Sequence, residues 1–173
     1  MTWRRLTLPG LLAIALLAGS GLGPARASDN PSADAKAAFD AGDYKTAAKI
    51  LSRLASQGDQ AAQYNLAMLY LEGKGVPKDN AKAASLFDDS ARQGNPDAAL
   101  DLGILLRNGQ GLKQDLERAY MWLQVAIIQL TGQDRATALR YSKEIAKSLT
   151  SDQMKAAQEM IENCHDVGVE YCD

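Results

Sequence analysis

Histidine is almost absent from this chain of 173 residues, and the single His165 limits the chemistry that the sequence can support. A metal site built on two histidines, such as an H-E-x-x-H helix, is excluded, and we expect no metal. Cys164 precedes His165 directly, but a cysteine held in a disulfide cannot act as a nucleophile beside it. We therefore interpret His165 as a residue of a surface loop.

Cysteine is equally scarce, with Cys164 and Cys172 as the only two in the chain. An even count in an exported protein predicts one disulfide, which would close a short loop near the C-terminus. A redox pair is the alternative, but seven residues separate these cysteines, whereas a thioredoxin-type motif has two. We therefore predict a structural disulfide, which the chain-entropy model values at about 2–3 kcal/mol.

Basic residues are not in excess: 19 stand against 21 acidic ones, which gives a formal net charge of −2. No basic run is present, so we exclude nucleic acid as a partner because its phosphates require clustered lysine and arginine. Strand signals are also missing, since polar and apolar residues never alternate for long and β-branched residues are scarce. The predicted fold is therefore all-α.

Motifs of catalysis and cofactor binding are missing as well. Residues 28–30 spell the S-D-N of penicillin-binding enzymes, but the S-x-x-K and K-T-G motifs that should accompany it are absent. Residues 73–75 lack the G-K-[ST] ending of a phosphate-binding loop, and their pattern recurs at Gly109, which indicates an architectural role. We expect no catalytic residue and no cofactor.

Residues 1–27 predict an export signal that is removed. Arg4 and Arg5 supply the positive start, residues 11–18 the apolar stretch, and residues 25–27 the small-residue cleavage pattern. A membrane anchor is the alternative, but glycines and a proline interrupt a stretch shorter than the roughly 20 apolar residues that a span needs. The mature chain would start at Ser28 with a formal charge of −5, because the leader holds three arginines and no acid. We expect no stable membrane insertion after cleavage.

A repeat of 36 residues is the most informative feature that is present. The positions that recur at this offset include Gly58 and Gly94, Gly73 and Gly109, Gly75 and Gly111, Asp79 and Asp115, and Ala47, Ala83 and Ala119. A period of this length predicts one helical hairpin per repeat, each too small to bury its own apolar face and stabilised by stacking on its neighbours.

The repeat predicts a single helical domain over residues 28–173. Its hairpins cover residues 33–58, 59–94 and 95–130. Residues 131–173 lack the repeat glycines but keep amphipathic spacing, which predicts two cap helices followed by the disulfide tail. Thr150 and Gln153 form a capping box that predicts the start of the last helix.

These residues resemble the Sel-one-like repeat family, a relative of the tetratricopeptide repeats. The matching positions are Ala62, Leu66, Ala67, Tyr70, Gly73, Gly75, Val76, Asp79, Lys82, Ala83 and Gly94, then Ala98, Leu102, Gly103, Gly109, Gly111, Asp115, Arg118, Ala119 and Trp122. The first hairpin is closer to a tetratricopeptide unit because its turn lacks the longer glycine loop. The resemblance implies a right-handed α-solenoid that binds another protein or a peptide, common among exported bacterial proteins of signalling and envelope pathways.

Cysteine-rich members of that family carry disulfides with the same C-x7-C spacing and have been linked to binding or hydrolysing β-lactams. The resemblance therefore leaves a β-lactam-binding or hydrolysing enzyme as an alternative. Here the spacing occurs once, after the repeats, and the repeat positions that would carry it are Ala91 and Ala99. This departure favours a non-enzymatic protein-interaction module, an adaptor or regulator of an envelope protein in the periplasm of a Gram-negative bacterium.

The resemblance places the binding groove on the first helix of each hairpin, which lines the concave side. The positions carried over in register are Tyr64, Asn65, Met68, Leu71 and Glu72, then Leu100, Asp101, Ile104, Arg107 and Asn108. Their apolar members are expected to form a patch flanked by charge, the composition of a groove for a peptide or a helix. The alternative is that the cap helices or a neighbouring hairpin cover these residues.

Overall fold

The computed structural model describes residues 30–167, which form eight helices joined by turns. These are α1 (Pro31–Asp40), α2 (Tyr44–Ser56), α3 (Gln60–Glu72), α4 (Asn80–Arg92), α5 (Pro96–Asn108), α6 (Leu116–Gln129), α7 (Gly132–Ala146) and α8 (Ser151–Val167). No strand occurs between residues 30 and 167, and the helical architecture confirms the predicted all-α class. The export signal and Cys172 lie outside the described residues, so the cleavage and the disulfide stay predictions.

The helices stack in chain order as successive hairpins. Within each of the three hairpins the two helices pack on each other, α2 and α4 pack on the first helix of the next hairpin, and α6 packs on α7. Beyond this chain of neighbours, α5 also contacts α7, and α8 packs on α6. Helix α7 therefore packs on both helices of the third hairpin, and α8 packs on the second of them.

The 36-residue repeat has a direct structural counterpart in how the second helices begin. Asp43, Asp79 and Asp115 cap α2, α4 and α6, and each side chain accepts a hydrogen bond from the backbone N–H three residues later, at 3.1, 3.0 and 3.0 Å. Such caps satisfy N–H groups that have no partner inside the helix. The first hairpin thus follows the register of the other two despite its shorter turn.

Alanine recurs where helices approach most closely. Ala47, Ala83 and Ala119 stand one repeat apart, and each is 0% exposed. The largest buried side chains lie in the second and third hairpins, with Phe87 and Trp122 among them. Because buried small residues bring helix axes together, each hairpin buries its apolar face on its neighbours.

The last two helices join the same core. Ala138 and Ile145 of α7 and Cys164 of α8 are buried in it, and the sulfur of Cys164 lies 3.7 Å from the sulfur of Met121. The predicted capping box is confirmed: the Thr150 N–H donates to Gln153, and the Gln153 N–H donates to Thr150.

The prediction for His165 was wrong. The residue lies inside α8 and not in a loop, because this helix continues to Val167.

Candidate functional site

The first helices of the three hairpins, α1, α3 and α5, together with the cap helix α7 form what we call the first-helix face. A cavity separates α1 from α3, and Tyr64 of α3 lies beside Asp101 of α5. Arg107 of α5 pairs with Glu144 of α7 at 2.6 Å. This is the side that carries the predicted groove.

On α3 the centre of the face is a row of residues spaced by three and four. Asn65 and Glu72 are exposed and Met68 is half-buried between them. The amide of Asn65 donates to the carbonyl of Ala61 at 2.8 Å, and Glu72 pairs with Lys74 at 2.7 Å. Met68 packs on the core from the surface, so part of its side chain remains available to a partner.

On α5 the row in the same register runs through Asp101 and Ile104, which are half-buried, to the exposed Asn108. Ile104 packs against the core cluster. Leu100 does not belong to this surface, because its side chain is buried in the core and is 7% exposed. The apolar part of the predicted groove is therefore smaller on α5 than the sequence indicated.

Between the two rows lie Tyr64 and Leu71, both half-buried. The ring of Tyr64 packs on that of Phe87 with centroids 5.7 Å apart, and Leu71 packs against the same core. Met68 and Ile104 pack against this core cluster as well. The structure thus brings four of the five predicted apolar groove residues together.

The pKa of the Asp101 carboxyl is raised to about 6. Burial is the main cause, the charges of Asp97 and Asp134 act in the same direction, and the neighbouring Tyr64 hydroxyl acts against them. Burial likewise raises the pKa of the Tyr64 hydroxyl, and the charge of Asp101 adds to this effect. Three carboxylates from α5 and α7 and one phenol from α3 thus lie close together at one end of the face.

At the opposite end, α7 covers part of α5. Besides its 2.6 Å pair with Glu144, the Arg107 guanidinium lies 4.7 Å from the centroid of the Tyr141 ring. The side-chain amide of Asn108 also accepts a hydrogen bond from Arg107 at 3.1 Å. Arg107 is therefore engaged within the protein. Helix α8 packs on α6, whereas α7 also packs on α5.

A cavity of about 310 Å³ lies between α1 and α3. Its lining residues are Ser32, Ala35, Lys36, Phe39, Asp40, Leu51, Leu54, Asp59, Ala61, Ala62 and Asn65. Of these, the sequence prediction included only Asn65. The signal in the sequence was Phe39, one of only two phenylalanines in the chain. In the structure this residue lines the cavity and is 40% exposed.

Neither a metal cluster nor a membrane span appears in the part of the chain that the structure describes. Between residues 30 and 167, no three His, Cys, Asp or Glu side chains are grouped so as to hold a metal ion. In the same range, no helix combines the length and apolar character needed to cross a bilayer.

Two of the hairpins match a known repeat: the profile of the Sel1 repeat matches residues 60–95 and 96–129. No curated protein sequence matches the chain. Among solved structures, the chain is similar to a protective antigen present in uropathogenic Escherichia coli strains that displays an SLR fold. The identity is 27% and the TM-score 0.69, over 78% of this chain and 30% of that one.

A second solved structure, a Sel1 repeat protein from Oxalobacter formigenes, has the same kind of fold. Its identity to this chain is 22% and the TM-score is 0.55, over 79% of this chain and 64% of that one. The chain thus spans less than two thirds of the length of either structure. Both likenesses confirm the predicted solenoid of helical hairpins.

Proposed function

We propose that this chain, in which residues 60–95 and 96–129 match the Sel1 repeat, is a non-enzymatic adaptor that binds another protein through its first-helix face. Sel1 repeats form a helical repeat fold that typically mediates protein–protein interaction. Stacked hairpins suit this role because they hold a long row of side chains in fixed positions, so a partner binds without ordering the surface first.

The observation that carries the proposal is the composition of the first-helix face. Met68 and Ile104 present half-buried apolar side chains between the exposed amides of Asn65 and Asn108. Next to them the α1–α3 cavity places the exposed ring of Phe39 above an apolar floor. Apolar surface with a polar rim is typical of grooves that take a peptide or an amphipathic helix.

We place this activity in the periplasm of a Gram-negative bacterium, where the protein would act as an adaptor or regulator of an envelope protein. The support is the leader pattern of residues 1–27, in which Arg4 and Arg5 precede an apolar stretch and a small-residue cleavage site. Mass determination of the mature protein from a periplasmic extract tests this, since cleavage before Ser28 is the expected product.

Site-specific photocrosslinking tests the binding face. A photoreactive residue replaces Asn65 on the first-helix face or, as a matched control, Ser52, which is exposed on the second helix α2. After irradiation in native envelopes, we expect a discrete crosslinked protein from position 65 and none from position 52. Crosslinking from position 52 alone would place the interaction on the opposite side.

The β-lactam alternative predicts a different experimental result for the same protein. An enzyme of that class would turn over a chromogenic lactam, and the turnover would disappear when a groove residue such as Met68 is replaced. We expect no turnover from the purified mature chain. Turnover that depends on Met68 would replace the adaptor proposal.

A further inference from the structure

We propose that the partner segment is cationic: a lysine or arginine side chain of the bound polypeptide lies among Asp97, Asp101 and Asp134, while its apolar neighbours pack on Met68 and Ile104. This inference rests on the proposed function, because it names the chemistry of the partner for the same face.

The first step is the placement of the acids. Asp97 and Asp101 are four residues apart on α5 and therefore lie one above the other on the same side of that helix. Asp134 lies in the first turn of α7, which contacts α5. The charges of Asp97 and Asp134 both act on Asp101, and the Tyr64 phenol lies beside it, so the three carboxylates share one end of the first-helix face.

The second step is that the lysine and arginine side chains of α1 and α5 are already paired, and α3 carries none. Lys36 pairs with Asp40 at 2.8 Å, Lys74 with Glu72 at 2.7 Å, and Arg107 with Glu144 at 2.6 Å. By contrast, Asp97, Asp101 and Asp134 form no ion pair with any other residue between 30 and 167. The unpaired charge on α1, α3 and α5 is therefore acidic, whereas α7 also carries Arg135, Arg140 and Lys143, which form no ion pair with a described residue.

Helix termini explain only part of this arrangement. Asp97 and Asp134 lie in the first turns of α5 and α7, where the helix dipole favours an acid. Asp101 lies one turn further along, where that effect has faded, and it accepts no capping hydrogen bond because Asn95 caps α5. A half-buried carboxylate facing two like charges is unfavourable on its own, and an incoming cation would relieve it.

The third step is the apolar surface next to the acids. Ile104 follows Asp101 by three residues on α5, and Met68 follows Tyr64 by four on α3, so the apolar pair lies one turn beyond the acidic group on both helices. A segment with a cation and a large apolar side chain close together would satisfy both regions at once. An acidic segment would be repelled at the same place, which gives the surface a basis for selectivity.

The test is a selection from a random peptide library displayed on phage, with the mature protein as bait. Selected peptides are then synthesised, and their affinities are measured for four proteins: the wild type, Asp101→Asn, Met68→Ala, and Asp89→Asn as a control. Asp89 is exposed on α4 and lies outside the first-helix face. We expect peptides with lysine or arginine beside apolar residues, weakened roughly tenfold or more by Asp101→Asn and unchanged by the control.

A pH series adds a readout that a change in packing would not produce. The groups that act on Asp101 are Asp97 on its own helix, Asp134 on α7 and Tyr64 on α3. A cation binds the charged carboxylate, so the affinity should fall as the pH drops through about 6 in the wild type and lose this dependence in Asp101→Asn.

The outcomes separate this inference from the proposed function. Peptides that require Met68 but carry no cation, or that keep their affinity for Asp101→Asn, would overturn the cationic partner and leave the binding face in place. Peptides whose affinity is unchanged by Met68→Ala, or the selection of none at all, would overturn both. Acidic peptides that bind at the face would reverse the assignment of charge.

Discussion

Gly111 lies against the backbone of Asn80, so closely that a Cβ atom at position 111 would collide with it. Gly75 has the same relation to Tyr44, one repeat earlier. Tyr44 and Asn80 begin α2 and α4, so the turn of each repeat rests on the first residue of the second helix in the hairpin before it. The repeat glycines are therefore contacts between hairpins as well as turn residues.

The first prediction concerns this contact. Gly111→Ala should lower the free energy of unfolding by about 2–4 kcal/mol, because a left-handed backbone costs an alanine about 1 kcal/mol and overpacking typically costs 1–3 kcal/mol more. Urea unfolding followed by circular dichroism measures the change. Gly94→Ala is the matched control, since Gly94 also has a positive φ but nothing within 4 Å of the added Cβ. Equal losses in the two variants would contradict the contact.

The second prediction concerns the alanine register. Ala83→Leu should lower the free energy of unfolding by about 1–3 kcal/mol, because Ala83 is fully buried between helices and a larger side chain overpacks the site. Ala136→Leu, an exposed position on α7, should change it by less than about 0.5 kcal/mol. The melting temperatures of both variants give the answer, and an unchanged value for Ala83→Leu would refute the packing register.

The third prediction concerns the charge on Asp101. Its folded-state pKa of about 6 lies above the ordinary value of about 3.9, so the folded protein holds more protons between these pH values. The contribution of this residue to stability is therefore largest at low pH and is lost as the pH rises through about 6.

Asp101→Asn removes that charge and should stabilise the protein at about pH 7.5 by about 1–2 kcal/mol, below the upper bound of about 3 kcal/mol that the pKa difference sets. At about pH 4 the stabilisation should be absent. Denaturant unfolding at the two pH values measures it. Destabilisation by the same amount at both would show that Asp101 acts through packing and not through its charge.

The fourth prediction concerns the two cysteines. Thiol titration of the oxidised, unfolded mature protein should detect no free thiol, and a reductant should lower the free energy of unfolding by about 2–3 kcal/mol. Cys172→Ser is the control, because a reductant should have no further effect on it. Two titratable thiols in protein taken from the periplasm would contradict the predicted disulfide.

Much of the fold could be predicted from the sequence because its signals are local. The caps at Asp79 and Asp115 depend on a side chain and a backbone N–H three residues away, and such pairs are visible in a linear pattern. The spacing of Ala47, Ala83 and Ala119 likewise gives the register of close packing, since identical neighbours require identical small residues.

The candidate site was harder to predict from the sequence because it depends on contacts between helices. Leu100 and Asp101 are adjacent, and only the angle at which α5 packs decides that the first is buried and the second reaches the surface. The pair of Arg107 with Glu144 joins α5 to a helix without repeat glycines, so no register predicted it. The α1–α3 cavity depends on the spacing of two helices that few sequence signals report.

The most direct test of the central claim combines Met68→Asp with the photoreactive residue at position 65. Circular dichroism should show an unchanged helical spectrum, because Met68 lies only half-buried at the surface of α3. Ser52→Asp, on the opposite helix, serves as the control. We predict that the crosslinked protein disappears in Met68→Asp and persists in Ser52→Asp. Capture that survives Met68→Asp at full yield would contradict binding by the first-helix face.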